Sequence, residues 1–71
     1  MIEVPETPIW IGAAVGQFPA YHPVVFQHDN GFEPGHMCQL DGSLWVSEVP
    51  YRCSNLGKAV CFSRRMCALV S

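Results

Sequence analysis

The chain has 71 residues, 49% of them apolar and 14% charged, and a formal net charge of −2. That length excludes a second folding unit and keeps the core thin, because a chain of this size buries only about 60% of its unfolded surface. Ordinary soluble domains carry about 25% charged residues, so part of the apolar surface is expected to find cover outside the monomer, and a net acidic balance favours neither nucleic acid nor an anionic membrane as that cover.

Residues 1–8 hold two prolines and two glutamates in a short apolar frame, which predicts an extended, non-helical arm leading into one domain over residues 9–71. The first six residues, Met-Ile-Glu-Val-Pro-Glu, place acid and proline where a secretory leader has a basic and then an apolar run, so a cytoplasmic product is expected. Ile9-Trp10-Ile11 is β-branched and aromatic and predicts a short strand ended by Gly12. Residues 7–28 carry no Asp, Glu, Lys or Arg and reach the length of a bilayer span. Pro8, Pro19 and Pro23, with Gly12 and Gly16, break any helix there, so no membrane span is expected. Pro19 and Pro23 bracket Ala20-Tyr21-His22 as a loop or edge segment. Val24-Val25-Phe26-Gln27-His28 then predicts a buried strand ending at the turn pair Asn30-Gly31.

The strongest local signal lies between His36 and Val49. Met37-Cys38-Gln39-Leu40 and Ser43-Leu44-Trp45-Val46-Ser47 flank Asp41-Gly42, a pair suited to a two-residue turn whose central residues both need positive φ. In the second strand Leu44 and Val46 share one face, with Ser43, Trp45 and Ser47 on the other. Trp45 there is either the cover of a second apolar layer or an interface anchor. Pro50 ends this strand, Tyr51-Arg52-Cys53 is a further strand candidate, and Ser54-Asn55-Leu56-Gly57 is a turn cluster. From Lys58 to Val70 the spacing of Ala59, Phe62, Ser63, Met66 and Val70 is helical, whereas Ala59-Val60-Cys61-Phe62 also fits a strand. Strand is favoured for residues 58–62, and residues 64–70 stay open. The fold class expected is small and mainly β: an antiparallel meander or partly closed barrel with an extended N-terminal arm and room for a short C-terminal helix.

Cys38, Cys53, Cys61 and Cys67 are separated by 14, 7 and 5 residues, without the close pairs through which one tight turn delivers two thiolates to zinc. The favoured reading is free thiols acting as small apolar side chains, with no cofactor. The alternative is a zinc module that joins His36 and Cys38, on one face of a strand, to Cys53 and either Cys61 or Cys67. His22, His28 and His36, with Asp29 and Glu33, supply acid–base groups in turn-rich sequence, but no nucleophile elbow, phosphate-binding glycine loop or His-Glu-x-x-His is present. Enzymatic function is not expected.

All six acids lie in residues 1–48 and all four bases, Arg52, Lys58, Arg64 and Arg65, in residues 49–71. Such a chain closes on itself or pairs acid to base between copies, and a head-to-tail contact builds a ring or a filament. The function expected is therefore a non-enzymatic protein-interaction module, an accessory, inhibitory or structural subunit of a larger assembly such as a virus particle. Its contact residues are expected to be Trp10, Phe26 and Trp45 as apolar anchors and Arg64 and Arg65 as charges.

Overall fold

In the computed structural model, which describes residues 1–70, five strands form one antiparallel sheet and one helix packs on it. In chain order these are β1 (Ile2–Glu3), β2 (Trp10–Ile11), β3 (Tyr21–His28), β4 (Gly31–Cys38), β5 (Leu44–Val46) and α1 (Leu56–Val70). The sheet order is β1-β5-β4-β3-β2. The meander is thus open, with β1 and β2 as its edges, and the partly closed barrel is not formed.

The β3–β4 hairpin is the frame, paired from Tyr21 with Cys38 to His28 with Gly31. Its alternation sorts the side chains onto two faces. Val24, Phe26 and Val46 form a buried cluster on one face, with Val4, Met37 and Leu44 packed against it. Val25, Cys53 and Ala59 form a second cluster on the other face, with Trp10, Phe32 and Val60 around it. The helix covers the second face, lying over β3 and β4.

The first face is crossed by the N-terminal arm. β1 pairs with β5 at one edge and β2 with β3 at the other, so residues 4–9 must span four interstrand spacings, roughly 19 Å at about 4.8 Å each. Seven Cα steps at about 3.3 Å leave little slack, and Pro5 and Pro8 favour the extended backbone that the crossing needs. The arm is therefore stitched into the sheet at Ile2 and Glu3 and packs by Val4 on the core.

Four other expectations need correction. First, β3 does not begin after Pro23 but runs through it from Tyr21. Pro23 faces Gly12, whose N–H donates to the Pro23 carbonyl at 2.8 Å, and proline has no N–H to return. The His22 ring supplies the missing donor, its Nδ1–H reaching the Gly12 carbonyl at 2.8 Å.

Second, the turn pair is Asp29-Asn30 and not Asn30-Gly31: His28 pairs with Gly31, which opens β4 at a positive φ of 137°. Third, the Asp41-Gly42 hairpin forms with a longer loop. Met37 pairs with Leu44, where a two-residue turn would oppose it to Val46. Gly42 N–H bonds the Cys38 carbonyl at 2.9 Å, and only Gly42 (φ 73°) takes positive φ in this loop. The register moves by two residues, so Leu44 and Val46 keep the expected face.

Fourth, residues 58–62 are helix and not strand, and Tyr51-Arg52-Cys53 contributes only a single bridge between Cys53 and Phe32. Asn55 caps α1, its Oδ1 accepting the Lys58 N–H at 2.9 Å. The stripe that faces the sheet is Ala59, Ser63 and Cys67, all fully buried at a spacing of four. These small side chains let the helix approach until the Ser63 hydroxyl reaches the β3–β4 ladder itself. It donates to the Val24 carbonyl at 2.6 Å and accepts from the Gly35 N–H at 3.3 Å, and Val24 and Gly35 are register partners.

Candidate functional site

Helical periodicity that buries Ala59, Ser63 and Cys67 turns Lys58, Phe62, Arg65 and Leu69 outward along one flank of α1. That flank and the β5 side of the sheet enclose a groove of about 400 Å³, floored by Pro34 and walled by Tyr51, Phe62, Met66 and Leu69. Tyr51 and Phe62 stack with ring centroids 5.9 Å apart and planes 27° apart. They are 47% and 43% exposed, and Leu69 is 85% exposed. A second depression, lined by Asn55, Lys58, Cys61, Phe62 and Arg65, continues the groove toward the start of the helix.

The charges around this groove differ in their pairing. Arg52 meets Glu33 at 3.3 Å, and the N-terminal ammonium meets Glu48 at 3.0 Å. Among the described residues, Lys58, Arg64 and Arg65 meet no carboxylate. Among the described residues the polarised sequence is thus closed intramolecularly at Arg52 alone.

Of the five contact residues expected, Arg64 and Arg65 lie exposed on α1. Phe26 does not serve as an anchor: it is 1% exposed, at the centre of the first core cluster, and has no surface to offer. Trp10 is half-buried against the Val25, Cys53 and Ala59 cluster. Trp45 is half-buried too, its indole N–H donating to Ser43 Oγ at 2.9 Å, and covers the helix side of the sheet beside His36. The groove aromatics Tyr51 and Phe62 went unassigned as anchors, because reading residues 58–62 as a strand separates Phe62 from Leu69 and Arg65.

The polar groups fall into structural roles. Glu33, buried between strands, accepts from His28 Nε2 at 2.8 Å and Arg52 at 3.3 Å, and Arg52 Nε reaches Asn30 Oδ1 at 2.8 Å. This cluster pins the first turn to the segment before α1. His36 is buried, edge-on to Tyr21 at 4.9 Å, and its Nδ1 has no hydrogen-bond partner. Burial, and then the positive N-terminus, lower its pKa from the ordinary 6.5. Hydrogen bonds from Ser43 lower the Asp41 carboxyl.

Cys38 is half-buried, Cys53 lies in the second core cluster, Cys61 is exposed on α1, and Cys67 is buried under it. Burial pushes the Cys67 thiol up to about 11, which keeps it protonated and unreactive. Among the described residues no three His, Cys, Asp or Glu side chains are gathered to hold a metal ion, so His36, Cys38, Cys53 and Cys61 do not meet as a set. No described helix is long and apolar enough to cross a membrane. No family model matches the chain, and the searches of curated proteins and of solved structures likewise returned no match.

Proposed function

We propose that this domain is a non-enzymatic protein-interaction module, an accessory, inhibitory or structural subunit of a larger assembly that docks through the groove along α1. The observation that supports this reading is the groove's composition: stacked Tyr51 and Phe62 with exposed Leu69, beside Lys58 and Arg65, which meet no carboxylate among the described residues. Burying the apolar walls supplies the free energy of contact, at about 25 cal/mol per Å². The bases favour an acidic partner and make its capture sensitive to salt. Stacking holds the two rings in place before binding, which lowers the entropy lost on docking. The cytoplasm suits this role, with thiols such as Cys53 and Cys67 serving as small apolar side chains in the core.

Site-specific photo-crosslinking tests the proposal. A crosslinker in place of Leu69 should give a discrete protein adduct in the cells that make the chain. One in place of Asp29, at the far turn, should not. The Leu69 adduct should disappear with Arg65→Glu. Equal labelling from both positions, or an adduct unmoved by Arg65→Glu, would show that the groove is not the docking surface.

A further inference from the structure

We infer that Asn30, at the tip of the β3–β4 hairpin, is a site of spontaneous modification that, with water as its co-reactant, becomes aspartate and isoaspartate and so recasts the cluster of His28, Glu33 and Arg52. The reaction needs a side-chain amide followed by a backbone nitrogen that no side chain shields, and the fold supplies both at this turn. Gly31 has a φ of 137°, a region that side chains rarely enter, and a Cβ there would lie 2.8 Å from the Cys53 carbonyl oxygen. The fold therefore demands glycine at residue 31, and the nitrogen after Asn30 is the least hindered that a chain can offer. Asn30 itself is exposed, and its Oδ1 accepts from Arg52 Nε at 2.8 Å. That bond draws electron density from Cγ and stabilises the oxygen that turns negative on attack. Nδ2, the group that leaves, is held by no hydrogen bond among the described residues.

The Gly31 nitrogen gives up its proton through solvent and bonds to Asn30 Cγ; the Cγ–Nδ2 bond breaks, and Nδ2 takes that proton and leaves as ammonia. Water then opens the five-membered imide, its hydroxyl joining the carbon and its proton the Gly31 nitrogen. Opening at Cγ gives aspartate, and opening at the backbone carbonyl gives isoaspartate, with one extra methylene in the main chain. Either product sets a carboxylate beside Arg52, which already meets Glu33 at 3.3 Å and through it His28. Isoaspartate also lengthens a two-residue loop, which pulls His28 and Gly31 out of register. Comparable positions are guarded. Asp41 also precedes a glycine, but its carboxyl accepts from the Ser43 N–H at 3.0 Å and the Ser43 hydroxyl at 2.7 Å, which keep it ionised and without a group to lose. Asn55 caps α1, its Oδ1 taken by the Lys58 N–H at 2.9 Å, and it precedes a bulky leucine, Leu56.

Incubating the full chain in heavy-oxygen water at neutral and mildly alkaline pH, followed by peptide mapping with electron-transfer fragmentation, tests this residue by residue. Residue 30 should gain the mass of an amide turned to acid, with one heavy oxygen, as aspartate and an excess of isoaspartate. The gain should be faster at the higher pH, because attack needs the nitrogen deprotonated. Asn55 and Asp41 should stay unchanged. Asn30→Gln, whose longer side chain must close a six-membered ring, should show no gain while circular dichroism confirms its fold. Anion exchange separates the converted chain by its added charge. The isoaspartate form should unfold at lower urea, whereas Asn30→Asp, which adds the charge without the methylene, should keep the original midpoint.

Survival of Asn30 over the time in which a free peptide of residues 27–33 converts overturns the inference, because the fold then protects the amide. Conversion at Asn55 as fast as at Asn30 overturns it too. An isoaspartate form that unfolds at the original midpoint overturns the effect on the cluster of His28, Glu33 and Arg52.

Discussion

The Ser63 hydroxyl is the side chain on which the two layers meet, and its bonds show why the helix sits where it does. Fully buried, it satisfies one acceptor and one donor of facing strands, the Val24 carbonyl and the Gly35 N–H. Removing it leaves a cavity and weakens the bonding of two buried backbone groups. Ser63→Ala should lower stability by about 1–3 kcal/mol, read as a lower urea midpoint at unchanged slope. His36 sets a second expectation at this scale. Its folded pKa lies below the 6.5 of the unfolded side chain, so between the two values the unfolded chain binds more protons. Stability should therefore fall as pH drops below about 6.5 and level off below the folded pKa. Urea midpoints between pH 7 and 5 test this, and His36→Phe should flatten that part of the profile.

At the scale of elements, the legible parts were those where hydrophobic pattern and turn chemistry agree. The Asp41-Gly42 signal correctly located a hairpin and a glycine at positive φ, and missed the loop length and the φ of Asp41, because Gly42 closes a turn back to Cys38. Gly42→Val should destabilise the fold by about 1–3 kcal/mol. A Cβ at Gly42 meets nothing within 4 Å, so the loss would come from backbone conformation and not from a clash. Gly42→Asn should cost less, since asparagine tolerates this region. Equal midpoints for glycine and valine would remove the argument.

The helix was legible only in part. Its spacing was visible and already held Ala59 and Ser63, but it also took in Phe62, Met66 and Val70, which line the groove, and left out Cys67, which faces the sheet. Ala59-Val60-Cys61-Phe62 carries strand propensity that tertiary packing overrides. The turn cluster at residues 54–57 was the start signal, since Asn55 both turns the chain and caps the helix.

For the whole molecule, the first face of the sheet shows the limit of local reading. Proline and charge in residues 1–8 correctly predicted an extended segment, and nothing local could reveal that β1 and β2 would end on opposite edges. That topology makes the arm a cover for the core and not an appendage. The candidate site follows the same division: the basic end of the chain was legible from charge segregation, whereas the groove that Arg65 lines depends on helix and strand placement that only the folded chain provides.

Deleting residues 1–8 tests the role of the arm. The deletion removes β1 from Val46 and Trp45, and it strips Val4 from the cluster of Val24, Phe26 and Val46. Losing the burial of even one aliphatic side chain is worth about 1.5–3 kcal/mol, a large share of what so small a core supplies. The Val24 and Phe26 side chains, now 0% and 1% exposed, would then meet water. The truncated chain should bind the dye ANS and lose its cooperative thermal transition. Val4→Asp in the full chain should move in the same direction while keeping the β1–β5 pairing, which separates loss of core cover from loss of a strand. A truncated chain that melts cooperatively at the original temperature would show that the arm contributes no cover.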